Sequence, residues 1–207
     1  MNVLHIASSP RGERSQSLKL ATQFLETLAG RQPAITVDVL DVWETELLPF
    51  DGPALNAKYA DLQGIEMTPE QKAVWQQIHE LGGRFHRADL ILFSVPMWNF
   101  GIPYRLKHLI DAVSQRGVLF DFDEQGMVGL LKGKKVVICA SRGVTLGPDF
   151  PAEHFDHQVA YLKTWSQMVG IGDAQAVQLE ATLGDTSVAE ANFVAALARA
   201  SAVAQAM

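Results

Sequence analysis

Three stretches of strand length, VLHIA at residues 3 to 7, LILFSV at 90 to 95 and KVVICA at 135 to 140, are almost unbroken apolar runs. A strand with one wet face alternates apolar and polar residues, so a near-continuous run predicts a parallel strand covered on both faces. Two weaker runs complete the set. In residues 35 to 40, Ile35, Val37 and Val39 alternate with polar neighbours, as in a strand nearer an edge; residues 175 to 179 form the other. Helical patterns lie between them. Leu18, Ala21, Phe24, Leu25 and Leu28 fall at helical spacing, with Gly30 placed as the stop. Val74, Ile78, Leu81 and Phe85 follow Thr68-Pro69-Glu70, where Thr68 can cap and Pro69 can take the first helical position. Leu106, Leu109, Ile110 and Val113 follow Ile102-Pro103, a fourth helix is expected from about Ala152 to Val169, and an alanine-rich fifth from about 186 to 205. Five alternations of strand and helix predict an α/β fold with a doubly wound, five-stranded parallel sheet and helices on both faces.

Two segments do not fit simple alternation. Residues 42 to 68 are too long for a plain connection and are expected to cover a site or a partner subunit; residues 118 to 133, with Asp123-Glu124-Gln125-Gly126 at the centre, read as an inserted hairpin. A chain of 207 residues, 48% hydrophobic and 19% charged, is expected to form a single domain over 1–207 carrying both insertions. The formal charge of -6 comes with no basic block, which argues against nucleic acid as a partner. The first apolar run is too short for a signal peptide and no stretch reaches transmembrane length, so no membrane association is expected. The single cysteine, Cys139, excludes an intramolecular disulfide and reads as a buried strand residue with an inert thiol. A cytoplasmic location is the expectation.

In an open α/β sheet a ligand binds beyond the carboxyl ends of the strands, where the winding reverses. After the first strand, Ser8-Ser9-Pro10-Arg11-Gly12-Glu13-Arg14-Ser15-Gln16-Ser17 leads into a helix and offers hydroxyls and free N–H groups at its positive end. That suits a phosphate; an ordinary serine-rich cap is the competing reading. Dinucleotide and triphosphate fingerprints are missing: Gly170 and Gly172 open no helix, and Gly129-Leu130-Leu131-Lys132-Gly133-Lys134 is one residue short of a P-loop and precedes a strand. After the third strand, Pro96-Met97-Trp98-Asn99-Phe100-Gly101-Ile102-Pro103 offers apolar and aromatic walls with one polar group, as a flat heteroaromatic ring requires, unless Trp98 and Phe100 merely pack under residues 42 to 68. After the fourth, Ser141-Arg142-Gly143-Val144 can bring backbone amides to the same rim, or be a common turn.

On these blocks the chain resembles the FMN-dependent NADH-azoreductase family, also described as FMN-dependent NADH:quinone oxidoreductases. The resemblance runs through SSPRGERSQS, PMWNFGIPYRLKHLID, GLLKGKK and SRG; the second is the most specific, with Pro96, Met97, Asn99, Phe100, Ile102, Pro103, Leu106, Lys107 and Asp111 matching the family pattern. It implies a flavodoxin-like fold with strand order 2-1-3-4-5. It also implies a bound FMN whose phosphate is held by Ser9, Ser15, Gln16 and Ser17, whose ring is lined by Met97, Trp98, Asn99 and Phe100, and whose opposite edge meets Ser141, Arg142, Gly143 and Val144. The implied reaction passes hydride from NADH or NADPH through FMN to quinones or aromatic azo compounds by a ping-pong sequence. FMN is then the catalytic group and no side chain is a nucleophile, while Asn99 and the backbone amides near Met97 and Gly143 are candidates to stabilise charge on the ring. The family is homodimeric. Trp98 stands where it usually has Tyr, and Val144 where it usually has a second Gly, so the 143 to 150 loop is expected to follow a different path. The Phe120-Asp121-Phe122 hairpin differs from the more basic family version.

Other readings are a flavodoxin-type one-electron carrier, and a quinone or flavin reductase without azo activity. Against the carrier, the first loop lacks the threonine-and-glycine pattern of such proteins. No metal is expected: His154 and His157 have no third ligand cluster near them in sequence, and His5, His79, His86 and His108 are scattered.

Overall fold

All five runs form strands. The computed structural model describes residues 1–207, and in chain order its elements are β1 (Asn2–Ala7), α1 (Gln16–Arg31), β2 (Thr36–Asp41), α2 (Gly52–Gln63), α3 (Pro69–Arg87), β3 (Leu90–Pro96), α4 (Tyr104–Val113), β4 (Phe120–Asp123), β5 (Gly126–Gly129), β6 (Lys135–Ser141), α5 (Ala152–Phe155), α6 (Val159–Met168), β7 (Ala174–Leu179) and α7 (Thr186–Gln205). The main sheet is parallel throughout with order β2-β1-β3-β6-β7, which is 2-1-3-4-5 once the β4–β5 hairpin is set aside.

Alternate residues of each strand feed two cores. Val3, Leu90, Leu92, Val137 and Cys139 pack with Leu20, Phe24 and Leu28 of α1 and Ala196, Ala200 and Ala204 of α7. Leu4, Ile6, Ile91, Phe93, Val136 and Ile138 pack with Ile78 and Phe85 of α3, Leu109 of α4 and Leu162 of α6. Helices therefore cover both faces, which is why the three central strands are apolar throughout. Strand β2 does lie at the sheet edge, but its burial does not follow the alternation: Thr36 to Val39 are all exposed, Val37 and Val39 included, and only Leu40 is buried. Cys139 is buried, and burial pushes its thiol up to about 12, so it stays protonated and unreactive.

Thr68 caps α3 as its sequence implies: its hydroxyl accepts from Gln71 N–H while the Gln71 side chain accepts from Thr68 N–H. Three expectations need correction. Gly30 does not stop α1, which runs on to Arg31; the terminator is Pro33, which disfavours a helical conformation at Gln32. The fourth helix is two helices. Asp156 leaves the helical conformation and its Oδ1 accepts from Gln158 N–H (3.1 Å) and Val159 N–H (2.8 Å), capping α6 and ending α5. Residues 42 to 68 contain α2, which sequence periodicity did not reveal because its buried side is only Ala54, Ala57 and Ala60.

The hairpin forms where expected and is anchored by backbone contact. A Cβ on Gly129 would lie 2.0 Å from Gly170 N and 2.1 Å from Val169 C, so the chain leaving β5 crosses the end of α6 with no room for a side chain. Gly129→Ala is predicted to destabilise the protein by about 2–4 kcal/mol, read as a lower urea midpoint with an unchanged m-value.

Candidate functional site

The parallel order delivers the loops after β1, β3, β6 and β7 to one end of the sheet, where they enclose a cleft of about 180 Å³. The first loop contributes Ser9, Arg11, Ser15 and Gln16, the second Met97 and Trp98, and the third Ser141, Arg142 and Gly143. Thus the three loops singled out from sequence do converge.

At the first wall, Ser15 caps α1, its Oγ accepting from Leu18 N–H at 3.3 Å. The opening N–H groups of a helix have no intrahelical acceptor, which leaves a positive end at Gln16 and Ser17. Ser17 is buried and its hydroxyl lies 3.1 Å from Ser15 Oγ, outside the cleft lining. Gln16 Oε1 is buried without any donor, an acceptor aimed at nothing within the protein.

Beneath this wall, Ser8 N–H and Oγ both donate to Ser94 O (3.1 and 2.8 Å), and Ser94 Oγ shares a 3.0 Å hydrogen bond with His5 Nε2. Burial lowers the His5 pKa to about 4, only partly offset by the Asp41 charge, so the ring is neutral near pH 7.

The second wall is a tight turn. Trp98 and Gly101 exchange both backbone hydrogen bonds (3.0 and 2.9 Å), and the two residues between them, Asn99 (φ 48°) and Phe100 (φ 65°), are left-handed. Asn tolerates that region, whereas Phe does so at a cost of about 1–2 kcal/mol. Phe100 is held by stacking against Phe155 (4.9 Å) and Phe150 (5.5 Å), and its carbonyl accepts from His157 N–H at 3.0 Å. Trp98 instead packs on Trp43, at 5.7 Å, whose Nε1–H donates to Ser8 O at 3.0 Å. Only Trp98, then, packs against the 42 to 68 segment. Asn99 is exposed at the rim, and neither Asn99 nor Phe100 lines the cleft itself.

Met97 N–H donates to Ser141 O (2.7 Å) and so is itself not free for a ligand. The N–H groups of Ser9, Asn99 and Gly143 take no acceptor within the protein. Arg142 touches the cleft, but its guanidinium is turned inward toward Asp156 (3.3 Å) and Glu180 (3.2 Å). Val144 lies off the lining and avoids a left-handed φ; its carbonyl accepts from Ala181 N–H at 3.4 Å.

With this geometry in place, comparison with known proteins is decisive. A profile described as the flavodoxin-like fold matches residues 1–204. The FMN-dependent NADH:quinone oxidoreductase 2 of Pseudomonas syringae pv. tomato is 73% identical over 207 residues, covering 100% of this chain and 99% of that protein. The chain belongs to the FMN-dependent NADH:quinone oxidoreductase family. A further member, number 9 of Burkholderia lata, is 45% identical over 184 residues, covering 87% of this chain and 88% of its own. Among solved structures, an azoreductase from Bacillus anthracis superposes with TM-score 0.91 at 28% identity over 100% of both chains. An FMN-dependent NADH-azoreductase from the same species, in complex with FMN, gives 0.85 at 26% identity over 99% of this chain and 100% of that one.

Sequence reasoning missed part of this family member's cleft. Thr182 and Leu183, from the loop after β7, line it, and Leu183 is 86% exposed with its side chain against Gly143. The available signal was the fifth strand, whose carboxyl end had to reach the same rim. No helix is long and apolar enough to cross a membrane.

The buried His5 generates a pH dependence. Its folded pKa of about 4 lies below the ordinary 6.5. Between those values the unfolded chain binds a proton that the folded protein does not, so stability falls as pH drops through that window. A loss of about 3 kcal/mol from pH 7 to pH 4 is the predicted contribution. Denaturation curves across that range should show the slope in the wild type and a flatter one in His5→Gln.

Proposed function

We propose that the cleft holds one FMN and that the protein uses it to pass hydride from NADH or NADPH to quinones and aromatic azo compounds in a ping-pong sequence. The observation that carries this reading is the convergence of a helix N-terminus, an apolar wall and unpaired backbone donors on one cleft, with Gln16 Oε1 left without a donor. A ribityl hydroxyl would satisfy that oxygen. The donor set fits an FMN: Ser9, Ser15 and the first turn of α1 suit its phosphate, with Ser17 bonded to Ser15 from outside the lining and Arg11 adding positive charge at the mouth. Met97 and Trp98 suit the face of the ring, and the free N–H groups of Asn99 and Gly143 suit its carbonyl edges, with Ser141 and Arg142 shaping that side.

FMN, when bound, supplies the two-electron chemistry that no side chain of this protein offers. The protein's own contribution is placement. Trp43 fixes Trp98 by stacking while anchored to Ser8 O, so the aromatic wall is set before any ligand arrives. The Met97–Ser141 bond fixes the separation of the second and third walls. With FMN bound, the unpaired N–H groups of Asn99 and Gly143 would be available to stabilise negative charge on the ring without the reorganisation that water would require.

The cleft is open to solvent on one side, so part of an FMN and its substrate would gain cover from elsewhere. We assign that cover to a second copy of the chain. Leu55, Tyr59 and Leu62 of α2, with Ile65 just beyond it, are exposed apolar residues suited to such an interface.

Purified protein supplied with FMN is expected to be yellow, to bleach with NADH under anaerobic conditions and to recover colour on adding a quinone without any partner protein. A protein that takes up no FMN would exclude this reading, and FMN-loaded protein that NADH cannot reduce would favour an electron carrier. Asn99→Ala keeps the backbone N–H but removes the side-chain amide at the rim and disfavours the left-handed conformation (φ 48°) that orients that N–H, and is expected to weaken FMN binding or slow flavin reduction by about tenfold. Unchanged titration and stopped-flow traces would remove Asn99 from the site.

A further inference from the structure

Arg142 is the one Arg, Lys, Asp or Glu that is buried, its side chain 1% exposed, and it lies directly behind the third wall of the cleft. Two carboxylates meet it. Asp156 Oδ2 accepts from Nη1 at 3.3 Å, while Asp156 Oδ1 caps α6, so both oxygens of that carboxylate are committed. Glu180 is held differently. Its Oε1 lies 3.2 Å from Arg142 Nε and accepts from Leu146 N–H at 3.2 Å, but the Arg142 Nε–H does not point at it and makes no hydrogen bond. One guanidinium thus faces two carboxylates, leaving one surplus negative charge, and the imperfectly paired partner is Glu180.

The same cluster is tied to the cleft by the main chain. Arg142 N–H donates to Leu179 O (2.8 Å), Thr182 N–H to Arg142 O (3.2 Å) and Leu183 N–H to Gly143 O (3.3 Å). The charge therefore sits on the frame that carries Ser141 and Gly143, with the Glu180 side chain 29% exposed, so that water screens it in part. A negative charge there opposes the addition of electrons to any redox group in the cleft.

We propose that Glu180 is a positioning residue that acts through Arg142 to hold the reduction potential of the bound flavin low, making it a stronger donor to its acceptor. This rests on FMN occupying the cleft. The Arg142–Asp156 pair provides the mechanical link, and Glu180 provides the surplus charge. Reduction of the flavin by two electrons and a proton is then less favourable, and delivery of the same electrons to a quinone more favourable, by the same factor.

The test is the midpoint potential of FMN bound to wild type, Glu180→Gln and Glu180→Asp, measured by anaerobic titration against indicator dyes. Gln keeps an oxygen for Leu146 N–H and removes the charge, whereas Asp keeps the charge. Glu180→Gln is expected to shift the reduction equilibrium toward the reduced form by about tenfold, about 30 mV for a two-electron couple. Glu180→Asp should stay near wild type, and the affinity for oxidised FMN should be unchanged in both. An unmoved potential in Glu180→Gln, or an equal shift in both variants, would overturn the proposal. Should Glu180→Gln not fold, Asp156→Asn removes the same unit of charge and must raise the potential. Wild-type protein that binds no FMN would instead refute the cofactor assignment.

Discussion

The hydrogen bond from Met97 N–H to Ser141 O, 2.7 Å long, is the point at which sheet geometry becomes site geometry. It extends the β3–β6 pairing one step past the Pro96–Ser141 register, so the two loops that make the walls leave the sheet at a fixed separation. Parallel strands must all end on the same side, and this chain uses that end four times. The walls owe their positions to the ladder and to two cores that bury both faces of the sheet, rather than to contacts among the loops alone. Anything that disturbed the ladder at Pro96 or Ser141 would separate the aromatic wall from the Gly143 donor.

Sequence revealed the sheet well because its central strands are covered on both faces and cannot hide among polar residues. It revealed less wherever a local pattern was overruled from a distance. The periodicity of residues 152 to 169 continues across Asp156, yet the carboxylate turns back to cap α6 and splits the helix. Helix α2 escaped notice because three alanines are a faint apolar stripe and its larger apolar residues face outward. Arg142 was readable as a ligand-facing loop residue. Nothing near it in sequence announces the two carboxylates that draw its side chain inward. Gly30 shows the same limit in reverse: a residue permitted to stop a helix is not obliged to, and Pro33 does so instead.

Trp98 and Phe100, two residues apart, illustrate how the site is held rigid. Trp98 leans on Trp43, which is bonded to the β1 loop, while Phe100 turns the other way to join Phe150 and Phe155 before α6. The two supports lie on separate sides of the turn, and the left-handed pair Asn99–Phe100 is what allows the chain to serve both. Such a conformation is strained for Phe and persists because the surroundings over-determine it. The consequence is functional. A turn fixed from two sides presents the Asn99 N–H and the indole wall in one arrangement, so a ligand entering the cleft has little loop entropy left to remove on binding. The conformational cost is met during folding, when the aromatic contacts form, and the residues that meet it are ones a ligand need not touch.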